Sequence, residues 1–186
     1  VTRNAAPLRI LGIDPGSLRT GLGLIDLLPD GRLAHVHHET VALAGTGDFL
    51  ARLRRILEAL SLAIERFEPH EAAIERVFLA RNADSALKLG QARGAALSTL
   101  VLARLPVEEY APMQVKQAVV GTGAAEKHQV QHMVRVLLSL PANPESDAAD
   151  ALAVAIAHAH VRRAGSRAGL EALRPGRRRG RMLRLP

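Results

Sequence analysis

Apolar positions along the chain recur with two periods, and the change from one to the other organises the molecule. Leu8–Ile13 is a short apolar run ending in Asp14-Pro15-Gly16, a turn signal, and reads as a strand. Thr20–Leu27 reads as a second strand whose Gly21 and Gly23 leave one face nearly bare. Pro29-Asp30-Gly31 is a hairpin-type turn, and Leu33–Val41 alternates as a third strand. The period then lengthens. Between Asp48 and Phe67 the apolar residues at 49, 50, 53, 56, 57, 60 and 64 form one helical face, closed by Pro69. Ala72-Ala73-Ile74 reads as a buried strand running into Glu75. Asn82 or Asp84 can cap a helix over 85–105, and Val107–Tyr110 is a fifth strand stopped by Pro112. Met113–Val120, Glu126–Leu138 and Asp147–Val161 read as helices, with Gly121-Thr122-Gly123 breaking the chain between the first two.

Three strands joined by short links make an antiparallel meander, and each later strand returns through a helix, which requires parallel pairing. The expected fold is α/β: a mixed five-stranded sheet, an antiparallel meander plus two parallel strands, flanked by helices. No internal repeat is evident. Small residues on helix 85–105 (Ala92, Gly94, Ala95, Ala96, Ser98) permit close approach of another element, which makes it the candidate surface for any dimer.

A length of 186 residues suits one domain. The reading places it over residues 1–161, with 162–186 as a basic, Arg-rich tail expected to be flexible. The absence of cysteine excludes disulfide scaffolds, thiolate metal sites and thiol nucleophiles. No apolar stretch is long enough to span a bilayer and no secretory signal precedes the first strand, so a cytoplasmic location is the expectation. The net charge of +7 is unevenly placed: residues 161–186 hold nine arginines and one glutamate, whereas the rest of the chain has 16 basic and 17 acidic residues. A polyanionic partner is suggested, but any binding surface on the body must come from local clustering.

Four acids fall where an α/β sheet places its active site, beyond the carboxyl ends of its parallel strands. Asp14 ends the first strand and Glu75 the fourth; Asp147 and Asp150 share one face at the start of the last helix. Taken singly, Asp14 also suits an ordinary turn, and Asp147 and Asp150 suit any helix N-terminus. Glu75, at the rim of a buried strand, is harder to assign to structure alone. Together, four converging carboxylates repel unless cations neutralise them. Hard oxygen donors favour Mg²⁺ or Mn²⁺, and two such ions about 3.5–4 Å apart would activate water against a phosphodiester.

Several blocks of sequence resemble the RuvC family, the bacterial Holliday-junction resolvases or crossover junction endodeoxyribonucleases. They are Gly12-Ile13-Asp14-Pro15-Gly16 with Thr20-Gly21, Ile74-Glu75-Arg76-Val77-Phe78, the run from Asn82 to Gly94, Val115-Lys116 through Gly121 to Lys127, and Asp147-Ala148-Ala149-Asp150-Ala151-Leu152-Ala153. The likeness spans about Leu8 to His160, in the family's order. It implies a ribonuclease H-like fold, a homodimer, and Mg²⁺-dependent paired cuts at a four-way DNA junction. Two ions per site are expected, with Mn²⁺ able to substitute, and the products carry 5′-phosphate and 3′-hydroxyl ends. The family's metal-binding carboxylates match Asp14, Glu75, Asp147 and Asp150, its basic residues near the site match Lys116 and Lys127, and its junction-probing aromatic matches Phe78. The family's partners are the RuvA and RuvB branch-migration proteins.

The residues themselves leave alternatives. Lys116 and Lys127, two of only three lysines, flank a glycine loop suited to phosphate contact, or are simply solvated. Phe78 is either core or a wedge at an unpaired base. Arg76, Arg81 and Arg93 are positioned to hold phosphates, although Arg93 suits a helix surface equally. His35 and His37 share a strand face but read as a solvated strand, and His158 and His160 read as the end of the last helix. The tail arginines 174–179 would bind nucleic acid through counterion release or act as a solubilising extension. A non-catalytic DNA-binding module on the same fold is the competing function. An actin-like phosphotransferase is disfavoured because the chain has no second lobe.

Overall fold

The computed structural model describes residues 6–45, 48–76 and 82–172. Strands β1 (Leu8–Asp14), β2 (Arg19–Leu27) and β3 (Leu33–Ala42) form the antiparallel meander. β4 (Glu71–Glu75) pairs parallel to β1 and β5 (Val107–Tyr110) parallel to β4, giving the order β3-β2-β1-β4-β5. The helices are α1 (Phe49–Phe67), α2 (Ala83–Leu102), α3 (Pro112–Val120), α4 (Lys127–Leu137) and α5 (Ser146–Ala172). The mixed sheet and every expected element are therefore present.

Strand alternation splits the core into two layers. Leu11, Ile13, Leu22, Leu24, Ala72 and Ile74 point to the side covered by α1 and α2. Ile10, Ile25 and Ala73 point to the other side, towards α5, with α3 and α4 outside it. Asp14 shares the parity of Ile10, and Glu71 and Glu75 share that of Ala73. All three acids consequently belong to the α5 side.

Helix boundaries follow local chemistry. Asp48 caps α1 by accepting from the Ala51 amide at 2.8 Å, and the helix ends at Glu68 in a left-handed conformation ahead of Pro69. Of the two expected caps for α2, Asn82 is the one used: its Oδ1 accepts from the Ser85 amide at 2.9 Å. Asp84 instead pairs with Lys88, one turn on, at 2.7 Å. Ala92 and Ala96, small residues expected at a dimer contact, lie within the chain's own core, while Leu87 and Leu102 are exposed.

α5 is buried on every side from Ala151 to Ala159. It runs eleven residues beyond the expected end at Val161, so the division between body and tail drawn at 161 falls inside a helix. Arg163 on this extension donates to the Gly31 carbonyl at 3.4 Å. The tail arginines 174–179 lie outside the described residues.

The helix reaches the sheet through missing side chains. Gly12 and Gly23 are paired across β1 and β2, with Gly21 two residues from Gly23 on the same face. A methyl group on Gly23 would stand 2.7 Å from the Leu152 amide nitrogen, and one on Gly12 would stand 2.7 Å from that of Ala155. One on Gly21 would collide with the Asp147 carbonyl. Opposite this bare strip α5 presents alanines 151 and 155.

Gly23→Ala should therefore cost roughly 1–3 kcal/mol, since backbone cannot yield as a side-chain tip can. The expected fall in melting temperature is about 3–10 °C. Gly90→Ala, at an exposed position of α2 with open space around it, should raise stability by about 0.5–1 kcal/mol. Thermal melts followed by circular dichroism compare the two directly.

Candidate active site

The four acids are delivered by three elements. Asp14 lies at the carboxyl end of β1, one step beyond the Ile13–Ile74 pair that aligns β1 with β4, so Glu75 ends the neighbouring strand at the same edge. The close contact at Gly21 places the first turn of α5, carrying Asp147 and Asp150, over that edge. All four carboxylates are half-buried. Beside them is a cleft of about 190 Å³ lined by Glu75 and Asp150, by Pro112, Val115 and Lys116 of α3, and by Lys127 and Val130 of α4.

Their titration reflects crowding. Burial, followed by repulsion from Glu75, Asp150 and Asp147, pushes Asp14 up to about 7. Burial and then Asp150 push Glu75 up to about 7, against the opposing pull of Lys127 and Lys116. Burial also raises Asp150, although its hydrogen bond to Lys127 opposes the shift. Burial works against the charge on Lys127, but Asp150 and the neighbouring carboxylates outweigh it and hold the ammonium above its ordinary value. Lys127 pairs with Asp150 at 2.8 Å, and Arg19 lies 3.8 Å from Asp147. Among the described residues, no three acidic or histidine side chains stand in an arrangement that would hold an ion as they are.

Four mutually repelling carboxylates thus gather at one sheet edge, two of them lining a cleft that has two lysines on its walls. The model of the family "Crossover junction endodeoxyribonuclease RuvC" matches residues 10–158. The chain belongs to the RuvC family. A relative of that name from Stenotrophomonas maltophilia is 59% identical over 164 residues, covering 88% of this chain and 95% of the relative. The Thermus thermophilus RuvC structure is similar with a TM-score of 0.76 at 39% identity, covering 84% of this chain and 96% of that one. The structure of T. thermophilus RuvC in complex with Holliday junction substrate gives 0.79 at 38% identity, covering 86% and 97%. The expected ribonuclease H-like architecture, with its mixed sheet and flanking helices, is the one observed.

Other sequence-derived candidates separate. Lys116 lines the cleft without an ion pair to any described residue. Arg76 is exposed and turned to Glu109, 3.7 Å away, which also binds Arg93 at 2.5 Å. Phe78 and Arg81 lie outside the described residues. Contrary to the expected alternation, His35 and His37 do not share a face of β3. A bulge between β2 and β3 makes Val36 an extra residue, which shifts the alternation. His35 Nε2 consequently meets His38 Nδ1 at 2.8 Å, while His37 stacks on Phe67. His158 is not at a helix end but buried in mid-α5, between Tyr110 and Glu71. A histidine within an alanine-rich, wholly apolar stretch was the available signal for that site.

Asp14 and Glu75 ionise less readily in the folded chain than in the unfolded one. The folded state therefore binds more protons, and stability falls as pH rises from about 4 through about 7. In chelator, Asp14→Asn should be more stable than wild type at pH 8 by roughly 1–3 kcal/mol. The advantage should shrink steadily towards pH 4. Urea unfolding across that range is the measurement, and a pH-independent difference would contradict the assigned crowding.

Proposed function

We propose that the chain is a structure-selective endonuclease that resolves Holliday junctions, in recombination and DNA repair. Paired, metal-dependent hydrolysis of phosphodiesters would leave 5′-phosphate and 3′-hydroxyl ends. The observation that carries this reading is the gathering of four interacting carboxylates at the sheet edge, two of which line a cleft together with Lys116 and Lys127. The junction-bound relative, similar over most of its length, supports it.

The donor set fits hard divalent cations. Asp14, Glu75, Asp147 and Asp150 offer only carboxylate oxygens, and Asp14 and Glu75 are pushed up to about 7, first by burial and then by neighbouring carboxylates, a strain that Mg²⁺ or Mn²⁺ would relieve. These four would hold two such ions, which supply, when bound, an acidified water and charge stabilisation at the phosphorus. The rest is done by the chain. Lys116 offers an ammonium to a phosphate oxygen, and its position beside Glu75 and Asp150 puts that contact next to the acids. Lys127 adds a second cation on the same wall. Pro112, Val115 and Val130 line the remainder with apolar surface and limit water there.

Paired cuts require two such sites, so the working unit is a homodimer. The outer face of α2, with Leu87, Val101 and Leu102 exposed, is our candidate contact. RuvA and RuvB are the expected partners, on family grounds. Arg76 is a DNA contact in this reading; Phe78 as a wedge at unpaired bases and Arg81 as a phosphate contact rest on sequence alone. A DNA substrate places the work in the cytoplasm; among the described residues no helix is long and apolar enough to cross a membrane.

Asp147→Asn should lower junction cleavage by about a thousandfold or more while junction affinity in chelator is retained. The measurement is nick mapping on a labelled mobile four-way junction in Mg²⁺, with a linear duplex as control. Symmetric nicks in the junction alone are expected. An unaffected rate would remove Asp147 from the site, and binding without nicks in every metal tried would favour a non-catalytic DNA-binding module.

A further inference from the structure

Two histidines on α5 tie down the helix that carries Lys116. Tyr110 ends β5 directly before α3, and its hydroxyl lies 2.8 Å from His158 Nδ1. His158 is 2% exposed, and its Nε2 lies 2.7 Å from Glu71. In the tautomer that donates Nε2–H to Glu71, Nδ1 accepts the tyrosine proton, so both ring nitrogens are satisfied. Arg162 holds the other Glu71 oxygen at 3.0 Å. Two residues further along α5, His160 Nδ1–H donates to the Ala118 carbonyl at 3.0 Å. Lys116 is thereby bracketed, with one tie just before α3 begins and another two residues after the lysine.

α3 needs such ties. It is nine residues long, too short to be stable alone in water, and it is anchored by the buried Val115 and Val119 together with these polar contacts. Its N-cap, Ala111, has no side chain to cap with; the Gln114 side chain instead accepts from the Ala111 amide at 2.8 Å. The same tie reaches the acids, because Tyr110 pairs with Glu75 across the sheet and its carbonyl accepts from the Arg76 amide at 2.8 Å. A buried apolar side chain would fill the His158 site without any polar group to satisfy, but it would not fix a direction.

We propose that Tyr110, His158 and His160 are positioning residues that set Lys116 against Glu75 and Asp150 by fastening α3 to α5. The proposal rests on the reading that Lys116 assists cleavage, and the test separates the two. Tyr110→Phe removes one oxygen; His160→Leu removes the second tie, and His160→Gln restores a donor. Each is assayed for junction affinity in chelator and for single-turnover cleavage in Mg²⁺, alone and combined with Lys116→Ala.

Tyr110→Phe and His160→Leu should each cut about five- to tenfold more slowly at unchanged affinity, and His160→Gln should recover most of that loss. Combined with Lys116→Ala, neither should reduce the rate below that of Lys116→Ala alone, because both act through the lysine. Losses that multiply, or single variants at the wild-type rate, would overturn the clamp. Lys116→Ala cutting at full rate would overturn it too, and would locate the failure in the role given to the lysine. If His160→Leu does not fold, Tyr110→Phe carries the test.

Discussion

The approach of α5 to the sheet is the contact on which the site depends. A helix normally stands off a sheet by the depth of two layers of side chains. Here Gly12 and Gly21 face alanines 151 and 155, Gly23 faces Leu152, and backbone meets backbone. The distance is thus fixed by main-chain atoms, which have no rotamers with which to relax. Two carboxylates on α5 are brought to two on the sheet with little freedom in the vertical direction. The same helix is enclosed from Ala151 to Ala159, so it cannot lift off without opening the core layer under α3 and α4.

Such rigidity is necessary because the acids oppose one another. Asp14 and Glu75 are driven up to about 7, a state the chain would relax if either side chain could swing away. Strand alternation and the glycine strip prevent that by directing all four acids to one layer and one edge. The cost falls on folding stability and the gain on the chemistry of the cleft, a division common at functional sites.

Much of this architecture was legible in the sequence because it rests on local rules. The meander, the crossover strands and the four acids follow from periodicity, turn residues and topology. The missed features are those made by tertiary contact. Asn82 and Asp84 are equivalent as caps until the entry path of the chain selects one. The His35–His38 pair exists only because Val36 is extruded from the ladder, and no pattern in β3 alone indicates a bulge. The true length of α5 was hidden because its last turns lack apolar periodicity; just past Val161, Arg162 and Arg163 reach Glu71 and Gly31 far back in the chain. His158 was visible as an oddity, but its partners are 48 and 87 residues away in sequence.

The Lys127–Asp150 ion pair spans the cleft from α4 to α5. Lys127 is the first residue of α4, where the helix dipole disfavours a positive charge, yet it is held there by the acids. An ammonium group thus acts as a tethered stand-in for a cation, always at hand and never lost to dilution. The pair joins the α4 wall of the cleft to the α5 wall. In the proposed metal-dependent reading, an ion would have to compete with this ammonium for Asp150, and a lysine released from that pair would still face the cleft.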